Sequence, residues 1–245
     1  MAEVGLTYSV EKKCPICGQM TKVTKVRSRL ISLGTDCDMC THYQDINPYH
    51  YTIWVCDNCG YAGDENHFLK GVPARGKKKI VEFLNGRKIG FKYVQDRTMP
   101  DAVASYKLAI YYAELTDDSL AHIAGLYLKL AWCYRIAGDT YHEEPMLRKA
   151  AETYERSLIS EEYPVGPLTD SACEYLVGAI YSRLNDPETA SKYISRLVSN
   201  RDLQATDRKL FEKARDLWED LKEARELAKN NKAKELAADA AAKKA

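Results

Sequence analysis

From Met99 onward glycine becomes rare and apolar residues recur at helical spacing. Val103, Tyr106, Ile110 and Ala113 form one stripe, and Ile123, Leu126, Tyr127, Leu130 and Tyr134 the next. Leu147, Ala150, Ala151, Tyr154 and Leu158 follow, then Ala172, Leu176, Ile180 and Tyr181, then Ala190, Tyr193, Ile194 and Leu197. Residues three and four apart share a helix face, so this pattern predicts about five amphipathic helices. Pro100-Asp101, Glu144-Pro145 and Asp186-Pro187 mark helix starts, because an N-cap oxygen and a first-turn proline both suit a helix entrance. Gly138-Asp139 and Asn185-Asp186 supply short turns, which make neighbouring helices antiparallel. A further helix from about Thr206 to Ala228 presents Leu210, Phe211, Ala214, Leu217, Trp218 and Leu221 on one side. The Ala- and Lys-rich residues 229–245 have nothing to bury and are expected as frayed helix or disorder.

The first 70 residues follow another rhythm. Tyr49, Tyr51, Ile53 and Val55 alternate with His50, Thr52 and Trp54, which predicts a half-buried strand running into Cys56, with Val23 to Ile31 as its partner. Residues 71–98 hold Gly71, Pro73, Gly76, Gly86 and Gly90 with the basic run Lys77-Lys78-Lys79. Such a composition breaks regular structure, so a basic linker that partly docks is expected, with a short helix around Ile80 to Leu84. The expected fold class is α+β in two parts: a small β module at 1–70, which the pairs Cys14/Cys17 and Cys56/Cys59 make zinc-ribbon-like, and, after the linker, an all-α domain at 99–228.

That helical part resembles tetratricopeptide repeats. Ala150-Ala151-Glu152-Thr153-Tyr154 and Ala190-Ser191-Lys192-Tyr193-Ile194 have the look of a second repeat helix, and Leu130 to Tyr134 followed by Ala137-Gly138-Asp139 of a first helix and its turn. The spacing from Tyr106 to Tyr154 to Tyr193 is irregular and longer than the roughly 34 residues of the standard repeat. A plain helical bundle is the competing reading.

Cysteine placement changes the picture most. Six of the 8 cysteines crowd the first quarter of this 245-residue chain as CxxC pairs, a clustering that suits metal binding in a reducing compartment better than a secreted disulfide scaffold. Cys14-Pro15-Ile16-Cys17-Gly18 and Cys56-Asp57-Asn58-Cys59-Gly60 both have the form of a zinc knuckle, whose trailing glycine permits positive φ so that amides point at the sulfurs. Cys14, Cys17, Cys56 and Cys59 are therefore the expected ligands of one zinc ion. The middle pair, Cys37 and Cys40, lacks that glycine and leaves three readings open. It replaces one knuckle, it joins His42, His50 or His67 in a second site, or it supplies small thiols packed beside the ribbon. Cys133 and Cys173 fall on apolar helix faces and read as core.

Several groups recur in a familiar arrangement: Cys14-Pro15-x-Cys17-Gly18, Val26-Arg27-Ser28, Asp36-x-Asp38-x-Cys40-x-x-Tyr43, Asn47-Pro48-x-x-Tyr51 and Cys56-x-x-Cys59-Gly60-Tyr61-Ala62. On these, Cys14 to Phe68 resembles the bacterial family called domain of unknown function 2225. The resemblance implies a cysteine-rich front and a helical, repeat-like rear, and assigns no activity. Cys37 departs from the family pattern, which argues against it as an essential ligand, whereas Cys40 matches.

Charge adds little. The net value of +1 offers no global attraction to nucleic acid or anionic membrane. Locally, Lys25, Arg27 and Arg29 would share a strand face, and Lys77, Lys78 and Lys79 make the linker basic, so nucleic acid is an alternative partner, with Tyr49, Tyr51 and Trp54 available to stack on bases. Asp36 and Asp38 offer paired carboxylates to a hard cation, but capping of backbone amides explains such a loop equally well. Gly71 to Lys78 nearly spells a phosphate loop, yet Lys78 stands where a hydroxyl is needed and Pro73 removes an N–H. No catalytic motif is present, and four thiolates would close the zinc site to substrate, so an enzyme is not expected. No run approaches the roughly 20 apolar residues of a membrane span, and the start lacks a leader pattern, so a cytoplasmic protein is expected. The sequence thus predicts a zinc-binding scaffold whose helices hold a peptide or protein partner. A nucleic-acid-associated factor and a thiol-based redox sensor are the alternatives.

Overall fold

Three short hairpins open the chain in the computed structural model, which describes residues 5–87, 92 and 95–242. The first pairs β1 (Thr7–Lys13) with β2 (Met20–Val26), in a register that runs from Thr7 opposite Val26 to Lys13 opposite Met20. The second pairs β3 (Ser32–Thr35) with β4 (Thr41–Tyr43) and carries an irregularity between Ser32 and Gly34. The third pairs β5 (Ile53–Val55) with β6 (Ala62–Asp64). Among the described residues all three sheets are two-stranded and antiparallel, and none joins another.

This corrects the expected pairing of Val23–Ile31 with a strand from Tyr49 to Val55. Asn47 accepts a hydrogen bond from Tyr49 N–H on its side chain, and Pro48 follows at the first helical position, so Pro48–Tyr51 winds into a 3-10 turn. Only Ile53–Val55 remains extended. Each CxxC knuckle therefore closes its own hairpin rather than linking two long strands.

Helices follow: α1 (Glu65–Lys70), α2 (Ala74–Leu84), α3 (Met99–Leu115), α4 (Leu120–Ile136) and α5 (Thr140–Ser160). The molecule is thus mixed α and β and mostly helical. Within the expected linker, α2 is longer than the short helix foreseen and buries Ile80 completely. Gly76 lies where a Cβ would stand 2.9 Å from Val72 and 3.0 Å from Thr116, so the absence of a side chain permits that close approach. Lys88 and Gly90 lie outside the described residues. Arg97 docks the linker's end: its N–H donates to Tyr51 Oη at 3.2 Å, and its guanidinium donates to the His50 and Ile53 carbonyls.

Helix starts follow the capping logic. The Asp101 carboxylate accepts from both the Thr98 N–H and its hydroxyl, and Ser119 caps His122 N–H. Asp139 caps α5, whose start precedes the expected Glu144-Pro145. Pro145 sits inside the helix, at the loss of one backbone hydrogen bond.

Two compact units emerge, one of residues 1–36 and 40–161, the other of residues 37–39 and 162–245. In the first, a continuous core joins the hairpins to the helices: Cys14, Val23, Ile53, Trp54 and Phe68 belong to the same cluster as Ile80, Tyr106, Leu126 and Cys133. Two-stranded sheets are too small to bury a core alone, and the helices supply what they lack. In the second unit, α6 (Asp170–Arg183), α7 (Pro187–Ser199), α8 (Arg201–Thr206) and α9 (Arg208–Ala242) surround Tyr175, Ile194, Leu197 and Leu217. The helix expected from about Thr206 starts after Asp207, which caps Leu210 N–H, and α9 runs to Ala242 through most of the tail expected as frayed helix or disorder. Residues 243–245 lie outside the described residues. Gly138, between α4 and α5, and Asn185, between α6 and α7, both adopt positive φ, of 75° and 57°. No helix among the described residues is long and apolar enough to cross a membrane.

Candidate metal centre

The two knuckles are built alike. In the first, Gly18 N–H donates to Cys14 O at 3.0 Å and Cys14 N–H to Gln19 O at 2.9 Å. In the second, Gly60 N–H donates to Cys56 O at 2.7 Å and Cys56 N–H to Tyr61 O at 2.8 Å. Gly18 and Gly60 have φ of 76° and 79°, the left-handed conformation that a Cβ disfavours, which is why glycine follows each pair. The turn this makes aims amides at sulfur: those of Ile16 and Cys17 reach the Cys14 thiol, and those of Asn58 and Cys59 the Cys56 thiol.

The hairpin tips meet. Cys14 Sγ lies 3.7 Å from Cys59 Sγ, and Cys17 Sγ 3.7 Å from Cys56 Sγ. All four sulfurs fall within 4.8 Å of one another. In a regular tetrahedron with metal–sulfur bonds of about 2.3 Å the sulfurs stand about 3.8 Å apart, so this donor set fits a four-coordinate ion. Their acidities point the same way. Contact with Cys56 pushes the Cys14 thiol up to about 12, contact with Cys14 pushes Cys59 up further, and the same contacts pull Cys56 far down. Four sulfurs this close cannot all ionise without a cation between them. Cys14 and Cys56 are buried, Cys59 is half-buried and Cys17 is exposed.

Residues between the cysteines lock the tips together, a role no spacing rule announces. Thr21 Oγ1 donates to Asp57 Oδ1 at 2.6 Å and accepts from Asp57 N–H at 3.2 Å, while Asn58 Nδ2 donates to Met20 O at 3.0 Å. From the helical side, Tyr112 Oη donates to Gly60 O at 3.1 Å, and the Tyr61 ring packs against Tyr112 and Phe68.

The remaining part of the chain's ancestry is decided by its sequence. The family described as an uncharacterized protein conserved in bacteria (DUF2225) matches residues 7–221. The chain belongs to this family. No curated protein and no solved structure matches it. Membership in DUF2225 extends through both knuckles and the helices up to α9, well past the Cys14–Phe68 stretch on which the sequence resemblance rests.

Cys37 and Cys40 stand outside the four-sulfur cluster of this DUF2225 member. Cys40 is fully buried, and its carbonyl accepts from Asp36 N–H at 2.8 Å. Asp36, Cys40 and His42 do bring one ligand atom each within 4.8 Å. Asp36 Oδ2 nevertheless takes Arg135 Nη1 at 2.7 Å and His42 Nε2 at 3.0 Å, and Arg135 Nε donates to Glu143 at 2.7 Å. A guanidinium at that distance opposes a second cation, and against the effect of burial the hydrogen bonds from His42 and Arg135 hold the Asp36 carboxyl below its usual pKa. The Cys37 carbonyl accepts from Tyr175 Oη at 2.8 Å. Cys133 and Cys173 are both buried.

The basic residues are largely engaged. Lys25 pairs with Glu65 at 2.7 Å and lies over Trp54, Lys78 pairs with Glu82 at 3.9 Å, and Lys79 with Asp117 at 2.6 Å. Arg27 donates to Gly5 O at 2.9 Å and lies over the Tyr8 ring. Arg29 and Lys77 are exposed. Gly71 ends α1 and Pro73 precedes α2, which leaves no phosphate-loop geometry at Gly71–Lys78.

Sequence reasoning missed one cluster altogether. His67 Nδ1 lies 2.9 Å from Asp64 Oδ1 and its Nε2 2.9 Å from Asp118 Oδ2. His122 Nε2 lies 3.0 Å from Asp64 Oδ2 and its Nδ1 2.7 Å from Asp118 Oδ2. A carboxylate only accepts, so every one of these ring nitrogens donates and both rings are imidazolium. Hydrogen bonds donated to Asp118 and Asp64 raise His67 to about 10. The i, i+3 spacing of Asp64 and His67 and the i, i+4 spacing of Asp118 and His122 were the only sequence signals.

Proposed function

We propose that the protein is a structural zinc scaffold, in which Cys14, Cys17, Cys56 and Cys59 hold one zinc ion and the helices hold a peptide or protein partner. The observation that carries the metal is the 3.7 Å separation of both cross-hairpin sulfur pairs, close to the edge of a zinc–thiolate tetrahedron. Four protein thiolates leave no open coordination position, so zinc supplies cross-linking rather than chemistry on a substrate. The ribbon reading follows from two equivalent knuckles facing each other.

Support for a partner comes from α5. Its outward residues Tyr141, Arg148, Glu152 and Ile159 follow helical spacing, and Tyr141 and Ile159 are 82% and 87% exposed. Large apolar side chains left in water at both ends of a charged stripe suit an anchor-and-rim contact. The matching left-handed turns at Gly138 and Asn185 support a tetratricopeptide-like form for each of the two helical hairpins, with longer repeats than the standard.

The test is metal analysis of protein produced in zinc-replete cells, followed by co-purification from the native host with intact protein and a Tyr141→Ala, Ile159→Ala double variant. One zinc per chain and a partner lost only by the double variant support the reading. Metal-free, fully folded protein ends it.

A further inference from the structure

The charges around Lys129 do not balance. This residue of α4 lines a cavity of about 330 Å³, together with Thr24, Lys25, Thr52, Asp64 and Asn66, while Val26, Pro48 and Trp54 form apolar parts of the wall. That volume is at the small end of ligand pockets, which run from about 300 to 1,000 Å³. Lys25 is neutralised by Glu65 at 2.7 Å. Asp64, the carboxylate whose charge acts on Lys129, is already committed: Oδ1 takes His67 Nδ1 and the His67 N–H, and Oδ2 takes His122 Nε2. With both rings imidazolium, the two histidines and Asp64 and Asp118 sum to zero. Among the described residues Lys129 has neither a hydrogen-bond nor an ion-pair partner, and one positive charge is left over at the cavity wall.

The His/Asp cluster itself does not take up a metal ion in this arrangement. Its rings lie 11° from parallel with centroids 3.9 Å apart. An ion shared by both would stand about 2 Å out of each ring plane, against a metal–nitrogen bond of only about 2.0–2.1 Å that must lie in the plane. Protons, not a metal, fill those four contacts, and the cluster serves to withhold Asp64 from Lys129.

We propose that the Lys129 cavity binds a small organic monocarboxylate, its carboxylate paired with the ammonium and its apolar body against Val26, Pro48 and Trp54. One uncompensated charge matches a monoanion better than a doubly charged phosphate, and the apolar part of the wall complements an organic body that an inorganic ion lacks. Burial lowers the lysine's affinity for its proton, with Asp64 opposing, so a bound anion would stabilise the charged form.

Amine acylation of the intact protein, read at each lysine by mass spectrometry, tests this with benzoate, acetyl-dialanine and inorganic phosphate as probes. Benzoate at about five times its Kd should slow labelling of Lys129 about sixfold, while exposed Lys107 is unaffected. Acetyl-dialanine protecting as well as benzoate would make a peptide C-terminus the source of the carboxylate. Benzoate alone would make it a free acid. Protection by phosphate only, or by none of the three, overturns the proposal. In a second arm, Lys129→Met should abolish the benzoate-induced NMR shift of the Trp54 indole N–H, and Lys129→Arg should keep it. A shift that survives in a folded Lys129→Met protein also overturns the proposal, and the labelling arm decides the matter if that variant does not fold.

Discussion

His67 and His122 stack face to face, 3.9 Å between ring centroids, although they come from different helices and both carry charge. The stack holds because a carboxylate closes each end. Asp64 and Asp118 together bridge all four ring nitrogens, and so tie the end of the third hairpin to the turn between α3 and α4.

This arrangement sets a pH dependence. A histidine whose folded value is raised stabilises the fold fully below the unfolded value of about 6.5 and loses that contribution as pH climbs toward the folded value. His67, raised to about 10, therefore weakens the fold between about pH 6.5 and 10, with His122 raised in the same direction. Asp64 and Asp118 are both lowered, so their contribution is present above about pH 4 and fades in acid. Thermal melts should show a plateau between about pH 4 and 6.5 and a falling Tm above it. In His67→Gln the alkaline slope should flatten and about 2 kcal/mol should be lost near neutrality, a figure reduced for a ring one-third open to water. An unchanged slope would show that the cluster does not titrate as described.

Removing a sulfur from either knuckle should release the metal. Cys14→Ser and Cys59→Ser are expected to lose stoichiometric zinc by elemental analysis and to open residues 7–64 to protease, since structural zinc contributes on the order of 10 kcal/mol. Cys40→Ser should keep the full metal content, because Cys40 lies apart from the four sulfurs. Metal loss in Cys40→Ser would move the ligand set.

Thr21 and Asp57 join the two hairpin tips beside the four sulfurs. Thr21→Val removes the buried hydroxyl that donates to Asp57 Oδ1 and accepts from Asp57 N–H, and should lower stability by about 1–3 kcal/mol. Chelator-induced zinc release, followed with a colorimetric indicator, should become faster in the same variant. Equal release rates would make the pair incidental to the site.

Between α6 and α7, a Cβ on Gly178 would stand 2.7 Å from Ile194 Cδ1 and 3.3 Å from the Ala190 carbonyl. The first contact is a flexible methyl, the second is backbone. Gly178→Ala should therefore separate the helices slightly at a loss of about 1–3 kcal/mol, measured by denaturant titration. Adding Ile194→Val should recover part of that loss.

Much of this was legible in the sequence. The knuckle glycines announced their positive φ, Asp186-Pro187 announced a helix start, and the helical stripes gave the right elements because period 3.6 survives any tertiary context. The alternating run Tyr49–Val55 misled. An Asx turn at Asn47 and the fixed φ of Pro48 turned its first half into a 3-10 helix, and local hydrogen bonding outweighed a two-residue period. The His/Asp cluster and Lys129 were invisible for a different reason. The Asp64–His67 and Asp118–His122 pairs are far apart in the chain and meet only in the fold, as Lys129 meets its cavity only there, and neither residue type carries a spacing signature that marks a tertiary ring of charges.

Tyr112 reaches across from α3 to the carbonyl of Gly60, and Ile53 and Tyr106 belong to the same interior. The cysteine-bearing quarter is thus no detachable bead that can be cut out and grafted elsewhere. Excised after Lys70, it would bare the Tyr61 ring that Tyr112 of α3 now covers, and the helices left behind would lose the floor on which they rest. Oxidants or chelators that strip the tips would accordingly be felt along α3 and α4, so injury to four sulfurs would spread through the whole first unit.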